Sequence, residues 1–418
     1  MKRFYLLFLV LIGFHLTFAT PMPWGNGQSK PENLQFYLVT FGPGDDIPSY
    51  WGHIAMIVED TLLHQSAIYN YGLYSFDNDF LWRFVQGRLI FEVGRASVDS
   101  YFRYYRSQNR TIQLLSLHIS LSKRLQLAAK LEWNILPQNK KYLYHHYYDN
   151  CATRLRDLID QVVDGQFHQA MDVPATMTLR DHTKRYTSRN LPLEWILMFW
   201  MSDRIDQPIK KWDEMFLPDV LEQYVQQVTY TNSYGQSQAL AGVPTYWFKA
   251  KRSPVPQTVP HDEWPTLIIA LILAAVILFT SWRQSRRPFR WFTLIFSLYN
   301  FLIGLFLGLV GSVLFFLMFF TEHDVTFGNE NLFLAHPLSL GVAVLAIFLA
   351  SEKDWAWRGL KYLWLLQFSG ALLLIVLKII LPFFDQDNLM AFCFILPINV
   401  SMVVSFYLLR QMKYHSTD

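Results

Sequence analysis

The chain has 418 residues, 52% of them hydrophobic and 17% aromatic, with 36 Lys and Arg against 33 Asp and Glu for a formal charge of +3. That balance is too small to mark a nucleic-acid binder, and the hydrophobic excess is more than a soluble enzyme carries. The excess is uneven: up to about Glu263 charges interleave with short apolar runs, and beyond Trp264 long apolar stretches alternate with brief charged ones.

In chain order, Met1-Lys2-Arg3, an apolar run to about Phe18, and small residues at Thr17 and Ala19 form a secretory signal-peptide pattern over 1–19. Cleaved or retained as an anchor, it exports the domain next in the chain, because positive charge stays inside. Residues 20–228 are expected to form that exported domain. Leu34 to Phe41 is β-branched and aromatic and predicts a strand, ended by Gly42-Pro43-Gly44-Asp45. Gly52 to Val58 and Ile68 to Gly72 predict two more, with an aromatic segment from Phe76 to Phe84 after them. Further strands are expected near Arg88 to Val93 and over Thr111 to Leu117.

From Ser120 the apolar period becomes helical until Pro137. A second helix begins near Cys151 and runs to about Val163, and the chain to Gln227 reads mostly helical. Residues 229–263 read as a polar linker. The run Tyr142, Tyr144, Tyr147, Tyr148 is assigned to core and helix packing, and Leu191 to Met201 is apolar but too short to span a membrane.

A transmembrane bundle is expected over 264–410. A hydrocarbon core of ~30 Å needs about 20 apolar residues, and five segments qualify, at 265–282, 291–320, 333–350, 362–384 and 389–409. Arg283, Arg286, Arg287 and Arg290 follow the first, Lys353, Arg358 and Lys361 the third, and Arg410 and Lys413 the fifth. The intervening loops, Thr321 to Leu332 and Asp385 to Asn388, carry no Lys or Arg. Every second loop is therefore expected in the cytoplasm with the tail 411–418, opposite the large domain. Lys378, inside the fourth span, must snorkel or pair.

Of the two cysteines, Cys393 falls in the fifth span, leaving Cys151 alone in the exported domain. A single thiol in an oxidising compartment suggests reactivity. Asp149 or Asn150 is a suitable N-cap, so the thiol is expected at a helix N-terminus, where peptide dipoles and free amides favour thiolate and lower its pKa. His53, after a tight turn at the start of a strand, is the candidate base. The backbone amide of Cys151 with a neighbouring donor is the candidate oxyanion hole. The third, orienting group is left among His64, His145, His146 and Asn70. His145-His146 with Cys151 lacks a matched metal-ligand spacing, so neither metal nor cofactor is expected.

The motifs Trp51-Gly52-His53-Ile54-Ala55, Tyr69-Asn70-Tyr71-Gly72, the Phe84 and Gly87 pair, Tyr148-Asp149-Asn150-Cys151-Ala152-Thr153-Arg154-Leu155-Arg156-Asp157 and Phe216-Leu217-Pro218 resemble the Lnb-type lipoprotein N-acyltransferase family. The loop Thr321 to Asn331 resembles it too. The resemblance implies that His53 and Cys151 are the catalytic pair, and that a fatty acyl group moves from a phospholipid to the α-amine of a lipoprotein's diacylglyceryl-cysteine. Asn150, Asn70 and Tyr71 are candidates for oxyanion or orienting roles, and Trp51, Arg154 and His323 candidates for substrate binding. The implied partners are a phospholipid donor, a diacylated apolipoprotein acceptor and the lipid bilayer of the inner membrane. The order of histidine on a strand, then Asn-Cys opening a helix, is also similar to the permuted papain-like lecithin:retinol acyltransferases. The expected fold class is thus an α+β papain-like exported domain followed by an all-α transmembrane bundle. A cell-wall peptidase or amidase using the same dyad, and a non-catalytic membrane scaffold, are the other readings.

Overall fold

Side chains alternate across a strand, so a strand whose neighbours on both sides are apolar needs cover on both faces. The run Ile54-Ala55-Met56-Ile57-Val58 is of this kind. In the computed structural model it lies in β2 (His53–Asp60) with all five side chains buried. Ile54, Met56 and Val58 enter the main core with Leu34, Phe36 and Leu38 of β1 (Leu34–Phe41). Ala55 and Ile57 face the other way, onto a smaller core with Val39 and Phe41. The described residues are 23–74, 78–287, 289–351 and 353–415, so the expected signal peptide lies outside them.

β1 and β2 pair antiparallel at the middle of a seven-stranded sheet. It continues through β3 (Gln65–Leu73), β4 (Ile90–Ala96) and β6 (Lys141–Leu143) on one side, and β5 (Ile112–Leu117) and β9 (Thr245–Phe248) on the other. Between β3 and β4 comes the short helix α1 (Phe80–Gln86) and, after β4, α2 (Val98–Ser107), whose Phe102 and Tyr105 cap the smaller core. The main core is covered by α3 (Leu121–Asn134), α4 (Cys151–Val162), α5 (Gln166–Met171), α6 (Leu179–Thr187), α8 (Lys211–Glu214) and α9 (Pro218–Gln227). β7 (Thr229–Thr231) and β8 (Ser237–Ala239) form a separate hairpin.

Two expectations are corrected here. Residues 229–263 are not simply a linker: they carry the hairpin, and β9 extends the sheet beyond β5. The polar composition suits a hairpin turn and an edge strand facing water. The core assignment of the tyrosine run holds for Tyr142, in β6, and Tyr147, in the turn before α4, which are buried, and fails for Tyr148, which is exposed.

Among the described residues, five helical segments are long and apolar enough to cross a membrane. They are α10 (Glu263–Arg286), α11 (Arg290–Phe320), the stretch Glu330–Leu349 that ends in α12 (Leu340–Leu349), α13 (Asp354–Ile380) and α14 (Leu389–His415). α12 alone, at ten residues or ~15 Å, does not reach across. The crossing starts at Glu330 and includes 3-10 turns at Glu330–Phe333 and Pro337–Ser339. α13 begins at Asp354, about two turns ahead of the expected 362. Gly304, Gly308 and Gly311 line one side of α11. A Cβ on each would come 2.7, 2.5 and 2.5 Å from the backbone nitrogens of Ala343, Leu340 and His336. Only glycine lets these two segments approach so closely, the usual packing device of membrane helices.

The exported domain is docked onto this bundle. α7 (Leu191–Trp200) buries Trp195, Met198 and Phe199 in the bundle's own apolar cluster, with Ile303, Leu307 and Ile395. The Phe199 carbonyl accepts from Asn329 Nδ2 and Asn331 Nδ2 at 3.1 and 2.9 Å. Gln386 Nε2 donates to the Met201 carbonyl at 3.0 Å. The loops before α12 and α14 therefore lie on the domain's side. Lys378 pairs with Glu330 at 2.7 Å, the compensation a charge within a span requires.

Candidate active site

An Asn at an N-cap satisfies first-turn amides only if its side-chain oxygen turns inward. Asn150 does so: Oδ1 accepts from Ala152 N and Thr153 N at 2.8 and 3.0 Å. Its Nδ2 donates to the carbonyls of His146 and Phe216 at 2.7 and 2.9 Å. All of Asn150's polar capacity is thus spent on holding the start of α4, and it has no donor to offer a reacting oxygen. The cap leaves the amide of Cys151 itself outside this pairing, at the first position of the helix.

α4 packs on β2, and the Cys151 sulfur lies within hydrogen-bonding reach of the amides of Ile54, Ala152 and Cys151. Ile54 follows His53 directly, so the sulfur reaches the amide of the residue next to the imidazole. The His53 ring lies parallel to and beside the stacked pair Phe41 and Tyr105, at centroid distances of 6.1 and 6.2 Å. The Arg110 guanidinium acts on both His53 and Cys151.

Of the four orienting candidates, Asn70 is the one hydrogen-bonded to the imidazole. His53 Nε2 lies 2.7 Å from Asn70 Oδ1, which also accepts from the Gly72 amide at 2.9 Å. The Asn70 Nδ2 donates to Tyr101 Oη at 2.7 Å. An oxygen that already accepts an amide proton can only accept from the ring too, so Nε2 carries the imidazole proton. Nδ1 is then the free lone pair. The register of β3 against β4 shifts between Asn70 and Leu73, and this irregularity brings Asn70 and Gly72 to the ring together. A Cβ on Gly72 would sit 2.8 Å from His53 Cε1.

The thiol does not titrate as the helix terminus alone predicts. Burial of the sulfur against the main core pushes Cys151 up to about 11, and the three amides and Arg110 only partly oppose it. His53 is pushed down to about 4, first by burial and then by Arg110, with Asn70 opposing. The resting pair is therefore a neutral thiol beside a neutral imidazole, and the expectation of a preformed thiolate is corrected: burial outweighs the dipole.

His53, Asn70 and Gly72 open into a cleft of about 440 Å3 lined also by Leu73, Tyr74, Tyr101, Tyr105 and Arg110. Tyr101, Tyr105 and Arg110 come from α2 and the turn after it, a helix that the charged and aromatic spacing of that stretch concealed. Arg110 is 7% exposed, donates from Nε to the Gly42 carbonyl at 2.7 Å and lies over the Tyr105 ring at 4.6 Å.

The other sequence candidates are placed elsewhere. Tyr71 Oη accepts from Asn134 at 2.6 Å and is buried in the core. Arg154 is held by both oxygens of Asp149, at 2.5 and 2.6 Å, over the Tyr142 ring. Trp51 packs edge-on against His146 at 4.6 Å. His323 Nε2 lies 3.0 Å from the Phe84 carbonyl and fastens its loop to α1. His145 donates to Asp324 at 2.9 Å, and His64 is exposed in the turn at the far end of β2.

In comparison with known proteins, residues 21–185 match the family model of the Lnb N-terminal periplasmic domain, and residues 263–414 match that of the Lnb transmembrane domain. No curated protein and no solved structure matches the chain.

Proposed function

This chain belongs to the Lnb family, a multi-pass membrane protein with a periplasmic domain, and on that premise we propose that it is a thiol-dependent N-acyltransferase of lipoproteins. Its acyl donor is a phospholipid ester and its acceptor the α-amine of a diacylglyceryl-cysteine. The observation that carries the reading is the tautomer of His53: Asn70 occupies the Nε2 proton and leaves Nδ1 free as a base, while the thiol at the head of α4 reaches the amide of the next residue, Ile54.

In the first half-reaction the Cys151 sulfur attacks the ester carbonyl carbon while its proton passes to His53 Nδ1. The amides of Cys151 and Ile54, both at the sulfur, are the donors nearest the developing oxyanion. Collapse breaks the ester C–O bond; His53 returns the proton to the leaving glycerol oxygen, and a thioester remains. In the second half the lipoprotein amine attacks the thioester, His53 takes a proton from nitrogen, the C–S bond breaks and the sulfur is reprotonated. Because the resting pair is neutral, proton transfer and attack run together rather than from a standing thiolate. A bilayer substrate suits a domain whose α7 is seated among membrane helices. On this reading the bundle lies in the inner membrane, and the lysines and arginines of the loop after α10 and of the C-terminus favour the cytoplasm for both.

The test is mass spectrometry of the purified protein incubated with phospholipid, together with the N-termini of lipoproteins made with and without it. We expect a hydroxylamine-labile acyl group on Cys151, none on Cys151→Ala, and acceptor heavier by one acyl chain. A thioester or acylated acceptor persisting in Cys151→Ala overturns the mechanism. Acceptor N-acylated at unchanged mass overturns the phospholipid donor, since the chain then came from the acceptor's own ester.

A further inference from the structure

Helix α1 turns its apolar side chains away from the protein. Leu81 is 74% exposed, Trp82 61%, Phe84 51% and Val85 37%. At 100° per residue these four fall within an arc of about 160°, with Phe80, Arg83 and Gln86 opposite. Facing water, so much contiguous apolar surface is unfavourable at ~25 cal/mol per Å2, and a surface of this kind marks an interaction.

The place where α1 is fastened identifies what covers it. A seven-residue helix does not persist by its own propensity. Its C-terminal turn is clamped by the loop leaving α11: Glu322 N donates to the Gln86 carbonyl at 2.8 Å, Arg88 pairs with Glu322, and His323 bonds Phe84. Gly87, at φ 78°, closes the helix, and a Cβ there would stand 2.9 Å from Glu322 C and His323 N. Glu322 is two residues beyond Phe320, where α11 ends with Phe319 and Phe320 themselves exposed. α1 therefore lies at the level where that span leaves the hydrocarbon.

We propose that α1 is a membrane-inserted wedge, with Leu81, Trp82, Phe84 and Val85 seated in the leaflet on the domain's side. Such insertion needs only apolar area at the headgroup boundary. The wedge is continuous with the cleft: Phe80, the first residue of α1, stacks on Tyr74 at 5.8 Å, and Tyr74 and Leu73 line the space in front of His53. An acyl ester drawn up along α1 reaches the imidazole across aromatic and apolar side chains rather than through water. The insertion stands by itself, whereas the delivery of an ester rests on the acyl-transfer reading.

The experiment uses full-length protein with Cys151→Ser and Cys393→Ser in vesicles of phosphatidylethanolamine and phosphatidylglycerol. A nitroxide is placed on Leu81→Cys or Trp82→Cys, with Tyr234→Cys, 69% exposed in the β7–β8 turn, as the reference. We expect the labels at 81 and 82 to collide with oxygen in preference to a nickel chelate, and the label at 234 to do the reverse. Nickel access at 81 and 82 equal to that at 234 overturns the proposal, and so does shielding from both relaxers, the outcome for a protein partner. With both cysteines native, Leu81→Glu with Trp82→Glu is expected to lower turnover of a vesicle-borne donor roughly tenfold while leaving cleavage of soluble p-nitrophenyl butyrate unchanged. Equal loss on both substrates overturns delivery and makes α1 a structural part. If the unaltered protein turns over neither substrate, the acyl-transfer reading fails while the nitroxide result still decides the insertion.

Discussion

At the scale of single residues, the site separates what a helix end does from what burial does. Asn150 puts Cys151 at a helix N-terminus, an arrangement that on its own favours thiolate. The packed core around the sulfur reverses the sign, with the thiol pushed up to about 11 and His53 down to about 4. A thiol raised in this way is protonated at neutral pH and ionises only as pH climbs towards its own pKa. Iodoacetamide labelling of Cys151 in the resting protein is therefore expected to accelerate about tenfold per pH unit above 7. A rate already level above pH 7 would mean a preformed thiolate. The position of the thiol is legible in the sequence because an N-cap is a contact between near neighbours. Its ionisation is not, because the residues that desolvate it come from β2, α2 and the main core.

At the scale of elements, the irregular pairing of β3 with β4 does most to assemble the site. It delivers Asn70 to one edge of the imidazole and clears the other edge by having no side chain at Gly72. Gly72→Ala is expected to displace the ring and lower kcat by about two orders of magnitude with little change in thermal stability, since the position is near the surface of the cleft. A melting temperature lost along with activity would make the residue a folding element instead. Asn70 is one of four orienting candidates in the sequence, and His64, His145 and His146 are equal to it by chemistry. Only strand register decides among them: β2 and β3 place Asn70 beside His53 and carry His64 to the opposite end. Helix α2 is hidden in the sequence because Phe102 and Tyr105 are its only fully buried side chains, among arginines and tyrosines that face outward.

At the scale of the whole molecule, domain and bundle are one assembly. α7 is buried among membrane helices, and Asn329, Asn331 and Gln386 take up the carbonyls at its end. Lys378 and Glu330 lock the two loops that bear these residues. Removing one member of a buried pair strands the other charge, so Lys378→Met is expected to destabilise the detergent-solubilised protein by about 3–5 kcal/mol. Lys378→Met with Glu330→Met is expected to recover much of that loss, and a double variant as unstable as the single one would show that the pair does not act as a unit. Properties set by composition or by neighbours along the chain are legible before folding: five apolar spans, the alternation of basic and non-basic loops between them, the first three strands and the cap beneath Cys151. Properties set by residues remote in sequence appear only in the folded chain: the choice of Asn70, the neutral state of the thiol and imidazole, the strand hidden in a polar segment, the seating of α7 among the spans and the clamp of Glu322 and His323 on α1. The division has a physical cause, since hydropathy, capping and alternation act within a turn or two of the backbone, whereas desolvation and register are fixed by whatever the folded chain brings alongside.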